Sequence, residues 1–204
     1  MPDVSNPHDR FFKEIFSRRE VAVDFLRNYL SAEVLNCLDE ETLRISKDSF
    51  IDKELAIFSS DLLYEVNLKD GSDAYVYLLF EHKSFPEPLI AFHLLRYMVK
   101  IWEQTLKTRK GTLSHEFPPI IPLVLYHGAS RWNVAKQFSL FFRCPEELKS
   151  FLPDFRYALY DMSSYSHDEI KGMVLLKVTL LLFRYIFHKE LRDRLPEILC
   201  LLLP

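Results

Sequence analysis

The stretch from residue 61 to residue 83 constrains the fold more than any other part of the chain, because it has the pattern of a β-hairpin. Two apolar runs, 62–68 and 74–80, flank a turn that contains Asp70 and Gly71. An Asp-Gly pair between runs of β-forming residues is one of the strongest short-range hairpin signals. The sequence therefore predicts two adjacent antiparallel strands.

Three charged residues lie at the ends of these predicted strands. Side chains alternate in direction along a strand, so Glu81 and Lys83 point to the same face. A three-residue turn over 70–72 would place Asp61 directly opposite Glu81, with Cβ atoms about 4.5 to 5.5 Å apart. A slip of one residue would turn Asp61 to the other face, so this register is a hypothesis.

Two facing carboxylates with a nearby lysine have a chemical rationale. Neighbouring carboxylates repel, so a site with both either holds a cation or raises the pKa of one carboxyl. Carboxylate oxygens can bind Mg²⁺ while the ion keeps waters and accepts phosphate oxygens. Lys83 could then orient or deprotonate water, or stabilise the transition state. The alternative is an ordinary ion pair of Glu81 with Lys83 at a strand end, since short motifs often occur by chance.

Five separated blocks of sequence carry a family resemblance. They read NPHDRFFKEIFSRREVAVDFLRNYL, SDLLYEVNLKDG, YVYLLFEHKS, LLRYMVKIWEQ and IPLVLYHG. In this order they resemble the Rpn family of recombination-promoting nucleases, which are transposase-like members of the PD-(D/E)xK nuclease superfamily. The resemblance extends roughly from residue 6 to residue 161. It implies an α/β fold, a three-layer α/β/α sandwich with a small mixed central sheet.

The resemblance also implies an activity and a set of site residues. The activity is that of a metal-dependent DNA endonuclease linked to recombination, mobile elements or defence. Asp61, Glu81 and Lys83 fall on the catalytic D…ExK positions of the family, with Asp61 and Glu81 as ligands of Mg²⁺ or Mn²⁺. The first helix could add Asp9 and Lys13 to the site, although Asp9 could equally serve to stabilise the helix N-terminus.

Other residues are weaker candidates. His127 follows a predicted strand and could reach the site, but a lone histidine more often satisfies local backbone groups. Several basic residues in and after a predicted helix could contact DNA phosphates, but an ordinary solvated polar surface is the more common explanation of such residues. They are Arg96, Lys100, Lys107, Arg109 and Lys110.

The remaining elements follow from hydrophobic periodicity and turn residues. We predict helices from residue 8 with a break at 17–20, at 31–38, 89–107 and 168–187, a shorter helix at 145–152, and a short helix or connecting segment at 131–142. Further strands are predicted at 41–45, at 117–126 as a buried parallel strand, and at 155–162 as an edge strand. The segment 49–57 fits neither period, and we expect it to pair with the hairpin.

Composition limits the partners and the compartment. With 26 basic and 29 acidic residues, the net charge of −3 gives no global attraction to DNA, so any DNA-binding surface must be local. We expect a single nuclease-like domain over 1–204, helical from about residue 167. Three cysteines without CxxC spacing predict buried free thiols, and no secretory signal or membrane span is apparent. These features predict a cytoplasmic protein without membrane association.

Two other functions are compatible with these residues. The chain could bind DNA or regulate a longer relative without cutting, as a homodimer or in hetero-association through its apolar C-terminal helix. The net negative charge favours this alternative. It could also be an accessory of transposition or recombination, because strand transfer and hydrolysis use the same metal geometry.

Overall fold

The computed structural model describes residues 7–46, 60–81, 85–108 and 116–203 of the chain. Within these ranges, five strands form one mixed sheet in the order β1-β2-β3-β4-β5. The first two pairings are antiparallel and the last two are parallel. The strands are β1 (Leu38–Ile45), β2 (Ser60–Leu68), β3 (Asp73–Glu81), β4 (Ile120–Tyr126) and β5 (Ala158–Asp161).

Helices cover both faces of this sheet. The α-helices of the described ranges are α1 (Pro7–Phe16), α2 (Arg19–Tyr29), α3 (Ala32–Leu35), α4 (Ile90–Thr108), α5 (Val174–Tyr185) and α6 (Leu191–Cys200). Two 3-10 helices, Phe138–Phe141 and Glu146–Phe151, lie in the connection between β4 and β5.

The alternation of side chains along the strands divides the core into two layers. On one face, residues such as Val76, Leu78 and Phe80 pack with α1, α2 and α5. On the other face, Tyr77 and Leu79 pack with α4. The predicted three-layer α/β/α sandwich is therefore confirmed.

The predicted hairpin is present, but its register differs from the predicted one by two residues. Asp61 pairs with Leu79, not with Glu81. The cause is the turn: the amide of Gly71 donates to the carbonyl of Leu68 over 2.9 Å, and Gly71 has φ 89°. A three-residue hairpin loop places its left-handed residue last, where glycine is favoured, so the loop covers 69–71. The prediction of a loop over 70–72 had put the glycine in the middle.

Two other predicted elements are shorter in the structure. The predicted helix at 168–187 begins only at Val174, because Gly172 adopts φ 121° and the Asp24 carboxylate accepts a hydrogen bond from the Met173 amide at 2.6 Å. The segment 131–142, predicted as a short helix or a connecting segment, is mostly a connecting loop, and its helical part is limited to the 3-10 turn Phe138–Phe141. Its first residues form a loop, in which the Trp132 amide is bonded to the Asp161 carboxylate.

The break between α1 and α2, the long helix α4 and the edge position of β5 agree with the predictions. The helix predicted at 31–38 ends at Leu35, and β1 begins at Leu38, three residues before the strand predicted at 41–45. The predicted strand-like segment 49–57 lies outside the described residues. The cysteines are free as predicted, but Cys37 and Cys200 are exposed and Cys144 is only partly buried, so the prediction of buried thiols was wrong. In the described part of the chain, no helix combines the length and apolarity that crossing a bilayer requires.

Candidate active site

Carboxylates gather at one end of the sheet, where β2 begins and β3, β4 and β5 end. Residues paired across neighbouring strands share a face. Asp61 pairs with Leu79, Glu81 pairs with Tyr126, and Tyr126 pairs with Asp161. Asp61, Glu81 and Asp161 therefore all belong to the face covered by α4. The prediction that Asp61 and Glu81 lie on the same face of the sheet is confirmed, although the two residues are diagonal neighbours and do not pair directly.

Asp61 is half-buried and held by a tyrosine. The hydroxyl of Tyr77 donates a hydrogen bond to its Oδ2 over 2.7 Å. Burial raises the pKa of Asp61 above its ordinary value, while the Tyr77 hydrogen bond and the Lys13 ammonium counteract part of that rise. Burial also raises the pKa of Tyr77 well above its ordinary value, so Tyr77 keeps its proton and remains a donor.

Glu81 is more deeply buried than Asp61, with 2% of its surface exposed. Its backbone carbonyl accepts a hydrogen bond from the His127 amide at 3.3 Å, which ties the end of β3 to the residue after β4. Burial raises the pKa of the neighbouring Tyr126, and the charges of Asp161 and Glu81 raise it further. The carboxylates of Glu81 and Asp161 thus lie near the hydroxyl of Tyr126.

The spacing of Asp61 and Glu81 suits a shared cation. Diagonal neighbours on adjacent strands lie about 7 to 8 Å apart, somewhat less between Cβ atoms, and both side chains can extend toward a common point. Among residues 7–46, 60–81, 85–108 and 116–203, no three His, Cys, Asp or Glu side chains form a metal-binding group by themselves. Mg²⁺ commonly binds one or two carboxylates and keeps several waters, so two carboxylates are a sufficient donor set.

The structure brings one of the two α1 candidates to this site. Lys13 is close enough to Asp61 to affect its pKa. Asp9 lies one helical turn before Lys13, and residues four apart share a side of a helix. The packing of α1 is set by Phe12, whose ring stacks on Phe80 with centroids 4.3 Å apart.

His127 is placed away from the carboxylates. Its ring stacks on Phe80 with centroids 4.7 Å apart and on His8 at 5.4 Å, on the face of the sheet that α1 and α5 cover. Glu81 points to the opposite face. The structure therefore does not bring the His127 ring together with Asp61 and Glu81.

The basic candidates are divided between α4 and residues outside the described ranges. Arg96 is partly exposed on α4, Lys100 forms an ion pair with Glu103 at 3.1 Å, and Lys107 is exposed in the last turn. These three belong to the helix that covers the face of Asp61 and Glu81. Lys83, Arg109 and Lys110 lie outside the described residues, so their roles remain predictions from the sequence.

Sequence reasoning missed Tyr77, Tyr126 and Asp161. A signal for Tyr77 was present, because it shares the face of Glu81 and becomes a diagonal neighbour of Asp61 once the turn is anchored on Gly71. No comparable signal existed for Tyr126 and Asp161, since their neighbours are set by parallel pairings across long connections.

The mixed sheet between helical layers, with carboxylates at the carboxyl end of its parallel strands, defines an α/β sandwich of the restriction-endonuclease-like type. Within that class the chain belongs to the family described as "Putative transposase, YhgA-like", whose model matches residues 6–203. No solved structure matches the chain.

Curated relatives from Escherichia coli (strain K12) match most of the chain. It is 30% identical to the recombination-promoting nuclease RpnA over 97% of its length and 28% identical to the recombination-promoting nuclease RpnC over 97%. It is also 32% identical over 94% of its length to RpnE, which is named an inactive recombination-promoting nuclease-like protein. The matched regions are 66%, 64% and 60% of these relatives, so the chain spans less than two thirds of their length.

Proposed function

We propose that the chain is a nuclease of recombination, and more specifically a metal-dependent endonuclease that hydrolyses DNA phosphodiester bonds. The observation that carries this proposal is the position of Asp61 and Glu81 on one face of adjacent strands, at the sheet end where Glu81 is buried and Asp61 is half-buried. Membership of a family with relatives named recombination-promoting nucleases supports it.

Asp61 and Glu81 are the residues that would hold Mg²⁺ or Mn²⁺. Their donor set fits such an ion, because hard carboxylate oxygens are its preferred protein ligands. A bound cation would polarise the phosphate and lower the pKa of an attacking water.

The surrounding side chains prepare the two carboxylates for this role. The Tyr77 hydroxyl fixes the orientation of Asp61, and Lys13 balances part of its charge. The burial of Glu81 excludes most water from its carboxylate, which strengthens its electrostatic interactions. Lys83, two residues beyond Glu81 in sequence, is proposed to orient or deprotonate the attacking water.

The test is cleavage of supercoiled plasmid DNA by the purified protein in Mg²⁺ and in EDTA. We expect nicking in Mg²⁺ only, with losses of about a hundredfold or more in Asp61→Asn, Glu81→Gln and Lys83→Ala. The matched control is Glu65→Gln, which removes a carboxylate from the same face of β2, where Glu65 is paired with Arg44 at 2.8 Å. Equal activity of the wild type and the Asp61 variant would overturn the proposal.

A second candidate function is DNA binding without cleavage. The observation in its favour is the 32% identity to RpnE, since that relative is named inactive. Binding of DNA that is equal in Mg²⁺ and EDTA, with no nicking by the wild type, would favour this second function over hydrolysis.

A further inference from the structure

A pocket of about 540 Å³ is lined by residues that follow β3 and β4, two of the strands that end at the candidate active site. One wall comes from Phe85, four residues after Glu81, and the other from the loop that follows β4, which includes Arg131 and Asn133. Phe141 of the first 3-10 helix also lines it. The pocket is therefore built by the two segments that leave the carboxyl ends of β3 and β4.

The loop after β4 is fastened to the site by three contacts. The Tyr126 hydroxyl donates to the Ser130 carbonyl at 2.8 Å, and the Trp132 ring packs edge-on against Tyr126 with centroids 5.0 Å apart. The Trp132 amide donates to Asp161 Oδ2 at 3.0 Å. Because Tyr126 pairs with Glu81, these contacts fix the pocket relative to the carboxylates.

The lining combines three kinds of side chain that bind nucleotides. Arg131 is exposed and has no ion pair within the described residues, so its guanidinium is available to a phosphate. Asn133 offers an exposed amide that can bond to a base edge. Phe85 is 67% exposed and presents an aromatic ring on which a base can stack.

A neighbouring pocket of about 620 Å³ shares Arg131 but is less suited to an anion. It is also lined by Lys136, Asp161 and Glu169. The two carboxylates therefore balance the positive charges of Arg131 and Lys136. Among the described residues that line the 540 Å³ pocket, Arg131 is the one that carries a charge. The volume of the 540 Å³ pocket also lies within the range of about 300 to 1,000 Å³ that is usual for small-ligand sites.

We propose that the 540 Å³ pocket binds one unpaired nucleotide of a DNA substrate, next to the phosphate that is cleaved. The base lies against Phe85, Asn133 reads its edge, and Arg131 contacts its phosphate. This assignment rests on the proposed nuclease function, which it deepens by naming a substrate class: DNA with an unpaired or displaced base. A fully paired duplex must first expel a base from its stack, which weakens its binding.

The test compares two short DNA duplexes, one fully paired and one with a single unpaired 2-aminopurine. Affinity is measured by fluorescence anisotropy in EDTA, so that cleavage does not interfere, and stacking is followed by quenching of the 2-aminopurine. We expect the wild type to bind the duplex with the unpaired base about tenfold more tightly and to quench its fluorescence. Phe85→Ala should abolish both the preference and the quenching, and Arg131→Ala should weaken binding about fivefold.

Matched controls separate the pocket from general surface effects. Phe151→Ala removes a ring that is 81% exposed outside the pocket, and Arg192→Ala removes an exposed guanidinium on α6. Both controls should bind within about twofold of the wild type. All four positions are exposed or lie in loops or helix surfaces, and circular dichroism will verify that each variant is folded.

Two results would overturn the pocket assignment. One is equal affinity of the wild type for both duplexes, and the other is the same affinity and quenching in Phe85→Ala as in Phe151→Ala. Plasmid nicking that depends on Asp61 without any preference for the unpaired base would refute the pocket and leave the nuclease function standing. A Phe85-dependent preference without nicking would refute hydrolysis and leave the nucleotide pocket standing.

Discussion

Replacing Asp61 by asparagine has opposite effects on stability in the absence and in the presence of a divalent cation. Burial raises the pKa of Asp61 above 3.8 in the folded protein. The protonated carboxyl of Asp61 therefore fits the folded protein better than the ionised one. This contribution to stability is fully present below pH 3.8 and is lost as the pH rises through the pKa of Asp61 in the folded protein. At pH 7 without metal, the ionised carboxylate therefore lowers the free energy of unfolding, by about 1.4 kcal/mol for each unit of pKa rise.

Asparagine removes the charge but keeps the hydrogen bond, because its amide oxygen can accept from the Tyr77 hydroxyl. We expect Asp61→Asn to be more stable than the wild type at pH 7 in EDTA. The difference should shrink as the pH falls and disappear well below pH 3.8, where the wild-type carboxyl is protonated in both the folded and the unfolded state.

Mg²⁺ should reverse this order. A ligand at a hundred times its Kd stabilises the folded state by about 2.7 kcal/mol. For a chain of this size, 1 kcal/mol corresponds to a change of about 2 to 4 °C in Tm, so we expect Mg²⁺ to raise the Tm of the wild type by about 5 to 11 °C. Asp61→Asn should lose most of that rise, because it loses one of the two carboxylates.

Thermal unfolding by differential scanning fluorimetry measures both effects without any need for activity. Wild type, Asp61→Asn and the control Glu65→Gln are compared in EDTA and in Mg²⁺ at several pH values. The control should retain the Mg²⁺-dependent rise in Tm. The reasoning is refuted if Asp61→Asn shows the same rise as the wild type, or if it is less stable than the wild type in EDTA at pH 7.

Two further predictions concern the same site and the start of α5. Tyr77→Phe removes a donor that lowers the pKa of Asp61, so the acid limb of the pH–cleavage profile should move to higher pH. An unchanged acid limb would contradict the role of this hydrogen bond. Gly172→Ala should lower the free energy of unfolding by about 2 to 5 kcal/mol, since φ is 121° and a Cβ would lie 2.6 Å from Leu176. Gly71→Ala, with φ 89° and no atom within 4 Å of the new Cβ, should lose only about 1 to 2 kcal/mol, and urea unfolding that ranks the two variants equally would contradict the clash.

The hairpin was predictable because its signals are local. The Asp-Gly turn and the alternation of 74–80 specify two strands, and the odd length of the loop keeps Asp61 and Glu81 on one face. The register depended on which loop position Gly71 occupies: the loop 69–71 places the glycine last, where it is favoured, and the loop 70–72 places it in the middle. The left-handed conformation of Gly71 decides between them.

Features that depend on distant contacts were not predictable. The start of α5 is set by Asp24, whose carboxylate is brought to the Met173 amide by tertiary packing. The direction of the His127 ring follows from the pairing of Glu81 with Tyr126, which a long crossover separates in sequence. The approach of Lys13 to Asp61 likewise results from the packing of α1 on the sheet.

The shared cation site of Asp61 and Glu81 is the central claim, and anomalous diffraction from crystals grown with Mn²⁺ tests it most directly. Mn²⁺ prefers the same carboxylate and water ligands as Mg²⁺ and can be located by its own anomalous signal. We predict one strong peak at about 2.1 Å from an oxygen of each of the two carboxylates. A Mn²⁺-saturated crystal with no peak between Asp61 and Glu81 would contradict the claim.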